Sequence, residues 1–119
     1  MRIPPPQKVL LVFIDLTDTW KDRKLFEAIV AVLERNHIEG ATVMSGIMGY
    51  GVHRQIHRKG LFGISDEKPV TIVAVDTEEK IRAVLPKIVP MVKEGLIMLQ
   101  DAEVISTGLR DHVEKPSIL

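Results

Sequence analysis

The residues best suited to chemistry lie in the middle of the chain. Gly46, Gly49 and Gly51 sit close together around Tyr50, and Arg54 follows. Glycine admits positive φ and close approach, so backbone N–H groups here can face an anion while Arg54 adds a positive charge. Tyr50 can stack on a planar base or pack as an amphipathic residue. A bulge where a strand leaves its sheet accounts for the same glycines without any ligand. The spacing matches neither G-x-G-x-x-G nor G-x-x-x-x-G-K-S/T, so neither nucleotide fingerprint is present. His53 and His57 are four apart, which on a short helix places both imidazoles on one face at metal-ligand spacing. Arg54 stands where a zinc-hydrolase helix has its glutamate, and Arg58 and Lys59 add further charge that disfavours a dication. An anion-binding loop or a solvated basic turn is the better account of this pair.

Catalysis needs a nucleophile beside a base, or carboxylates in contrasting environments. Ser45, Ser65, Ser106 and Ser117 lie in no nucleophile elbow, and the chain has no cysteine. Asp15 and Asp18 bracket the end of a strand and read as turn formers and caps. The expectation is a binding protein with no cofactor, not an enzyme.

Composition bounds the alternatives. The 119 residues, 45% hydrophobic and 27% charged, suit one globular domain. Sixteen basic residues against sixteen acidic ones leave no net positive field for nucleic acid or anionic lipid. No apolar run approaches the roughly 20 residues of a bilayer span, so membrane insertion is not expected. The opening MRIPPPQK is unlike a signal peptide, which makes a cytoplasmic location the expectation.

These residues must be positioned by a few regular elements. Lys8 to Asp15 (KVLLVFID) reads as a first strand. Leu25, Phe26, Ile29, Val30 and Leu33 form one stripe of a helix over about residues 21 to 36, with Thr19 or Asp22 as cap, Trp20 anchoring its start and Gly40 reversing the chain. Ala41 to Met48 is a second strand, and Pro69 to Val75 a third with its proline in first place. Asp76 and Glu79 make a D-x-x-E start for a second helix, which Pro86 should kink or restart. Gly95 ends that helix, and Leu96 to Ile105 forms a fourth strand. Strand, helix, strand, strand, helix, strand is the α+β ferredoxin-like order, with an antiparallel sheet and two helices on one face. The expected organisation is an extension at 1–7, one domain at 8–105 and a C-terminal segment at 106–119.

The pattern also calls for cover on the second face of the sheet, and self-association is the expected source. In the first strand Val9, Leu11 and Phe13 alternate with Leu10, Val12 and Ile14, so both faces are apolar. Two helices cover one face only, and leaving four such side chains in water, at roughly 1.5–3 kcal/mol each, costs a whole domain's stability. A second subunit meets that need, as would the C-terminal segment folded across the face, although the segment is mostly polar.

The run GATVMSGIMGYG (Gly40 to Gly51), then Ile56-His57, then Asp76 to Ile81, Leu85-Pro86 and EGLIML at Glu94 to Leu99, resembles the family called domain of unknown function 190, which is similar to the PII signalling proteins. The matches run in order across about residues 8 to 105. The resemblance implies a homotrimer with sheets facing inward and ligand clefts between subunits. It also implies a loop after strand 2, here Gly51 to about Ser65, that changes shape with bound nucleotide or 2-oxoglutarate and contacts a partner such as a transporter. The site it points to takes Gly46, Gly49, Tyr50, Gly51 and Arg54 from one subunit and Glu94 and Gly95 from its neighbour. The chain departs from PII where Lys93-Glu94-Gly95-Leu96 replaces a basic G-D-G-K turn, and from many family members where Ser45 replaces an arginine. The alternative is a divalent-metal trimer like the cation-tolerance proteins of the same architecture, using His53 and His57.

Overall fold

The computed structural model describes residues 5–50 and 68–106. Along them run β1 (Gln7–Asp15), β2 (Thr19–Trp20), β3 (Arg23–Lys24), α1 (Leu25–Arg35), β4 (Ala41–Ser45), β5 (Pro69–Thr77), α2 (Glu78–Ile88), a 3₁₀ turn (Val89–Met91) and β6 (Leu96–Ala102). The four long strands make one antiparallel sheet in the order β4-β5-β1-β6. This is the ferredoxin-like α+β arrangement expected from the sequence, with a small β2–β3 hairpin added ahead of α1.

Alternation along the central strands builds the core. Leu10, Val12 and Ile14 from β1 and Val70, Ile72 and Ala74 from β5 are buried against the helices. Helix α1 contributes Leu25, Ala28, Ile29 and Leu33, and α2 contributes Ile81, Val84 and Ile88. The other parity forms the opposite face of the sheet. Register places Phe13 opposite Leu96, Leu11 opposite Met98 and Val73, and Met44 opposite Thr71, and directly opposed residues share a face. Among the described residues nothing covers this face, where Phe13 is 37%, Met44 48% and Leu96 54% exposed. The apolar surplus read from the sequence is therefore present as a surface.

Several boundaries differ from the sequence expectation, each for a local reason. Helix α1 starts at Leu25 because Thr19–Trp20 pairs with Arg23–Lys24 around a turn at Lys21, φ 57°. Neither Thr19 nor Asp22 caps it; the position before the helix is Lys24, without a side-chain cap, and the Leu25 N–H donates to the Asp18 carbonyl at 2.8 Å. Trp20 does pack against the core. At the other end His37, φ 61°, makes the reversal assigned to Gly40. The Ile38 N–H donates to Leu33 O at 3.1 Å and the His37 N–H to Glu34 O at 3.0 Å, with Ile38 and Leu33 both buried, a Schellman ending.

Asp76 is not the cap of α2. It stays in β5, only 6% exposed, and Thr77 caps the helix by accepting the Lys80 N–H at 3.3 Å. The Asp76 carboxylate accepts the Glu39 N–H at 3.0 Å and the Thr77 N–H at 2.7 Å and pairs with Lys80 Nζ at 3.3 Å. It thereby joins the approach to β4 to the start of α2. The helix runs through Pro86 to Ile88, since Arg82, whose carbonyl loses its partner, lies on the exposed side; the tighter turn follows at Val89–Met91. Strand β6 ends at Ala102, not Ile105, because Ala102 already pairs with Gln7, the first residue of β1.

No helix among the described residues is long and apolar enough to cross a membrane.

Candidate functional site

The candidate residues gather at one end of the sheet, where β1 finishes. Strand β4 stops at Ser45 rather than Met48, since the Gly46 N–H donates to the Pro69 carbonyl at 2.7 Å and Pro69 opens β5 with no N–H of its own. A Cβ on Gly46 would lie 2.8 Å from Pro69 Cγ, and one on Gly49 3.3 Å from the same atom. Close packing on Pro69 thus requires glycine at 46, and the Gly46 amide is already engaged. Neither position has positive φ. Ile47, Met48 and Tyr50 project from this end and are strongly exposed.

Gly95 lies at the same end on the opposite edge, immediately before β6. Its φ is 155°, and a Cβ would come within 2.5 Å of the Phe13 carbonyl oxygen, so no other residue fits without a backbone shift. Glu94 beside it is exposed. In the order β4-β5-β1-β6, three strand spacings separate Gly46 from Gly95, roughly 14 Å at the usual inter-strand distance. Within one chain the two halves of the predicted site stand apart, one at each edge of the sheet.

Between them lies a frame that joins residues far apart in sequence. Asp15 has the turn-forming role its spacing predicts, accepting from the Thr17 N–H at 3.0 Å and the Thr17 hydroxyl. Its other oxygen accepts the Lys68 N–H at 2.7 Å, while the Leu16 N–H donates to the Lys68 carbonyl at 2.8 Å. Asp18 in turn accepts the Asp15 N–H at 3.0 Å. Burial pushes the Asp15 carboxyl up, but hydrogen bonds from the Thr17 hydroxyl and from the Thr17 and Lys68 amides outweigh it and hold it below the ordinary value. The spacing Asp15-x-Thr17-Asp18 carried the turn signal; the link to Lys68 joins residues 53 apart and left no local trace.

Gly51, Arg54, His53, His57 and the rest of the stretch to Ser65 lie outside the described residues. Among the described residues no group of three or more His, Asp or Glu side chains is placed to hold a metal.

Comparison with known proteins agrees with this architecture. The profile of the DUF190 family, described as "Uncharacterized ACR", matches residues 7–104. A UPF0166 protein of Methanocaldococcus jannaschii is 39% identical over 98 residues, covering 82% of this chain and 90% of the relative. Among solved structures, CPII of Thiomonas intermedia K12 bound to ADP, AMP and acetate superposes with a TM-score of 0.62 at 20% identity, over 86% of this chain and 91% of that one. The PII protein of Arabidopsis thaliana bound to citrate gives a TM-score of 0.55 at 12% identity, over 83% and 79%.

Proposed function

The chain belongs to the DUF190 family and has the PII-like ferredoxin fold, and from that premise we propose that it is a homotrimeric small-molecule sensor. Its ligand is a nucleotide or another anionic metabolite held in clefts between subunits. One observation carries this reading: Gly46, Gly49 and Tyr50 on one edge of the sheet and Glu94 and Gly95 on the other lie at the same end, roughly 14 Å apart. Edge-to-edge association of identical chains is heterologous, and a ring of such contacts places one subunit's first half beside its neighbour's second half. The uncovered face of Phe13, Met44 and Leu96 supports the same assembly, since it needs apolar cover. The ligand class is supported by the anions bound to CPII and to the plant PII protein.

In this reading Arg54 meets the anion and the stretch from Gly51 to Ser65 takes a different shape when the site fills, signalling to a partner protein such as a transporter. The ligand drives that change only through contacts it makes better in one state. Thermal unfolding in ADP, AMP, ATP, 2-oxoglutarate, citrate, acetate and zinc tests the proposal. A ligand at about 100 times its dissociation constant adds roughly 2.7 kcal/mol to the native state. A rise with a nucleotide or organic anion, lost in Arg54→Ala, is the expected result. A rise with zinc alone, lost when His53 and His57 are both replaced by Ala, would put a metal trimer in its place.

A further inference from the structure

A groove of about 330 Å³ lies on the helical side of the molecule, between the β2–β3 hairpin and α1, and includes none of the residues assigned to the sensor site. Its floor is apolar: Ala28 and Val32, one turn apart on α1, with Met91 from the 3₁₀ turn and the indole of Trp20. Its rim is basic on both sides. The hairpin wall brings Lys21 and Arg23, the helix wall brings Arg35, and Asp22 is the one acid among them. Three cations to one carboxylate is a strong local bias in a chain with sixteen of each sign.

The two guanidinium groups are not consumed by the fold. Lys21 Nζ sits 5.5 Å from the Trp20 ring centroid and fixes the indole from one side. Arg23 and Arg35 are exposed, and their guanidinium groups make no hydrogen bond or ion pair with any described residue. A guanidinium presents a planar fork of donors matched to a carboxylate, and two of them flank an apolar strip here. The hairpin has no part in closing the core's ferredoxin order, yet it holds Trp20 and Arg23 side by side against the helix.

We propose that this groove docks an acidic peptide segment of a partner protein, with one apolar side chain on the Trp20–Val32 floor and carboxylates on either side meeting Arg23 and Arg35. A peptide suits it better than a metabolite, because small-molecule sites enclose most of their ligand and this groove lies open between two walls. Electrostatic complementarity steers such a segment in, and the buried aromatic and apolar contact holds it.

Trp20 is the only tryptophan in the chain, so its emission reports the groove directly. The probe is a nine-residue peptide of Asp and Glu with one central Leu, titrated against the full chain, with a control peptide carrying Asn and Gln instead. The expected result is a saturable change in Trp20 emission with the acidic peptide, at least tenfold weaker for the control and for the Arg23→Gln, Arg35→Gln variant. Arg23→Glu with Arg35→Glu should reverse preference and bind a Lys-based peptide instead. Circular dichroism and the melting temperature verify that these surface variants are folded. No emission change up to millimolar acidic peptide overturns the proposal, as does equal binding by the variants or an equal response to free acetate or phosphate. Arg54→Ala, which tests the sensor site, should leave this titration unchanged.

Discussion

The Asp15 carboxylate accepts the backbone N–H of Lys68 at 2.7 Å, tying the last residue of β1 to the residue that leads into β5. Because the folded carboxyl is held below its ordinary value near 3.8, its contribution is complete above that value and is lost as pH falls through the folded one. Asp15→Ala should lower stability at pH 7 by about 1–2 kcal/mol, the usual loss for a capping and turn acceptor. Urea unfolding at pH 7 and at pH 2.5 checks this: the gap between wild type and variant should narrow in acid. An equal gap at both would mean that the charge has no part in the latch.

The backbone alone demands glycine at 95. Gly95→Ala places a methyl 2.5 Å from the Phe13 carbonyl at φ 155°, and it should cost more than about 1 kcal/mol and lower the melting temperature by several degrees. Gly46→Ala meets a side chain instead, at 2.8 Å from Pro69 Cγ. Adding Pro69→Ala removes that atom, so the double variant should recover part of the loss; a strictly additive pair would show that Pro69 is not the obstacle.

Asp76 holds two backbone amides and a lysine at one buried point. Asp76→Ala strands the Glu39 and Thr77 N–H groups and should destabilise by roughly 2–4 kcal/mol, against about 1 kcal/mol for Thr77→Ala, which removes only the cap. Denaturant midpoints of the two variants give the comparison. Similar losses would reduce Asp76 to an ordinary helix-start residue.

The open sheet face should be an interface. Light scattering on the eluting peak should give three times the 13.3 kDa chain mass, and Phe13→Asp or Leu96→Asp should lower it. A wild type that elutes as a monomer at all concentrations would refute the assembly.

What the sequence made legible was set by periodicity. The short, unbroken apolar runs in KVLLVFID and PVTIVAV, and the helical stripe through Leu25, Ile29 and Leu33, were enough to order the elements and to reveal the uncovered face. Chain ends of elements were less legible, because they depend on partners far away. Thr77 rather than Asp76 caps α2 only because Asp76 is drawn to Glu39, and His37 rather than Gly40 reverses the chain because Ile38 returns to Leu33. The hairpin at Thr19–Lys24 has two-residue strands, too short for alternation to register. Of the site, the glycines were visible as types, but their packing on Pro69 and on the Phe13 carbonyl is a property of the sheet alone.

The strand order has a further consequence for how the chain comes into being. β1 pairs on one side with residues 69–77 and on the other with residues 96–102, and with nothing nearer in sequence. This strand leaves the ribosome before both of its partners and therefore waits, apolar on both faces, until nearly the whole domain has been made. Loop closure over such spans is slow relative to local contacts, and helix α1 with its hairpin can form long before any sheet exists to receive it. Folding of this chain is a late, collective event, timed by the emergence of β5.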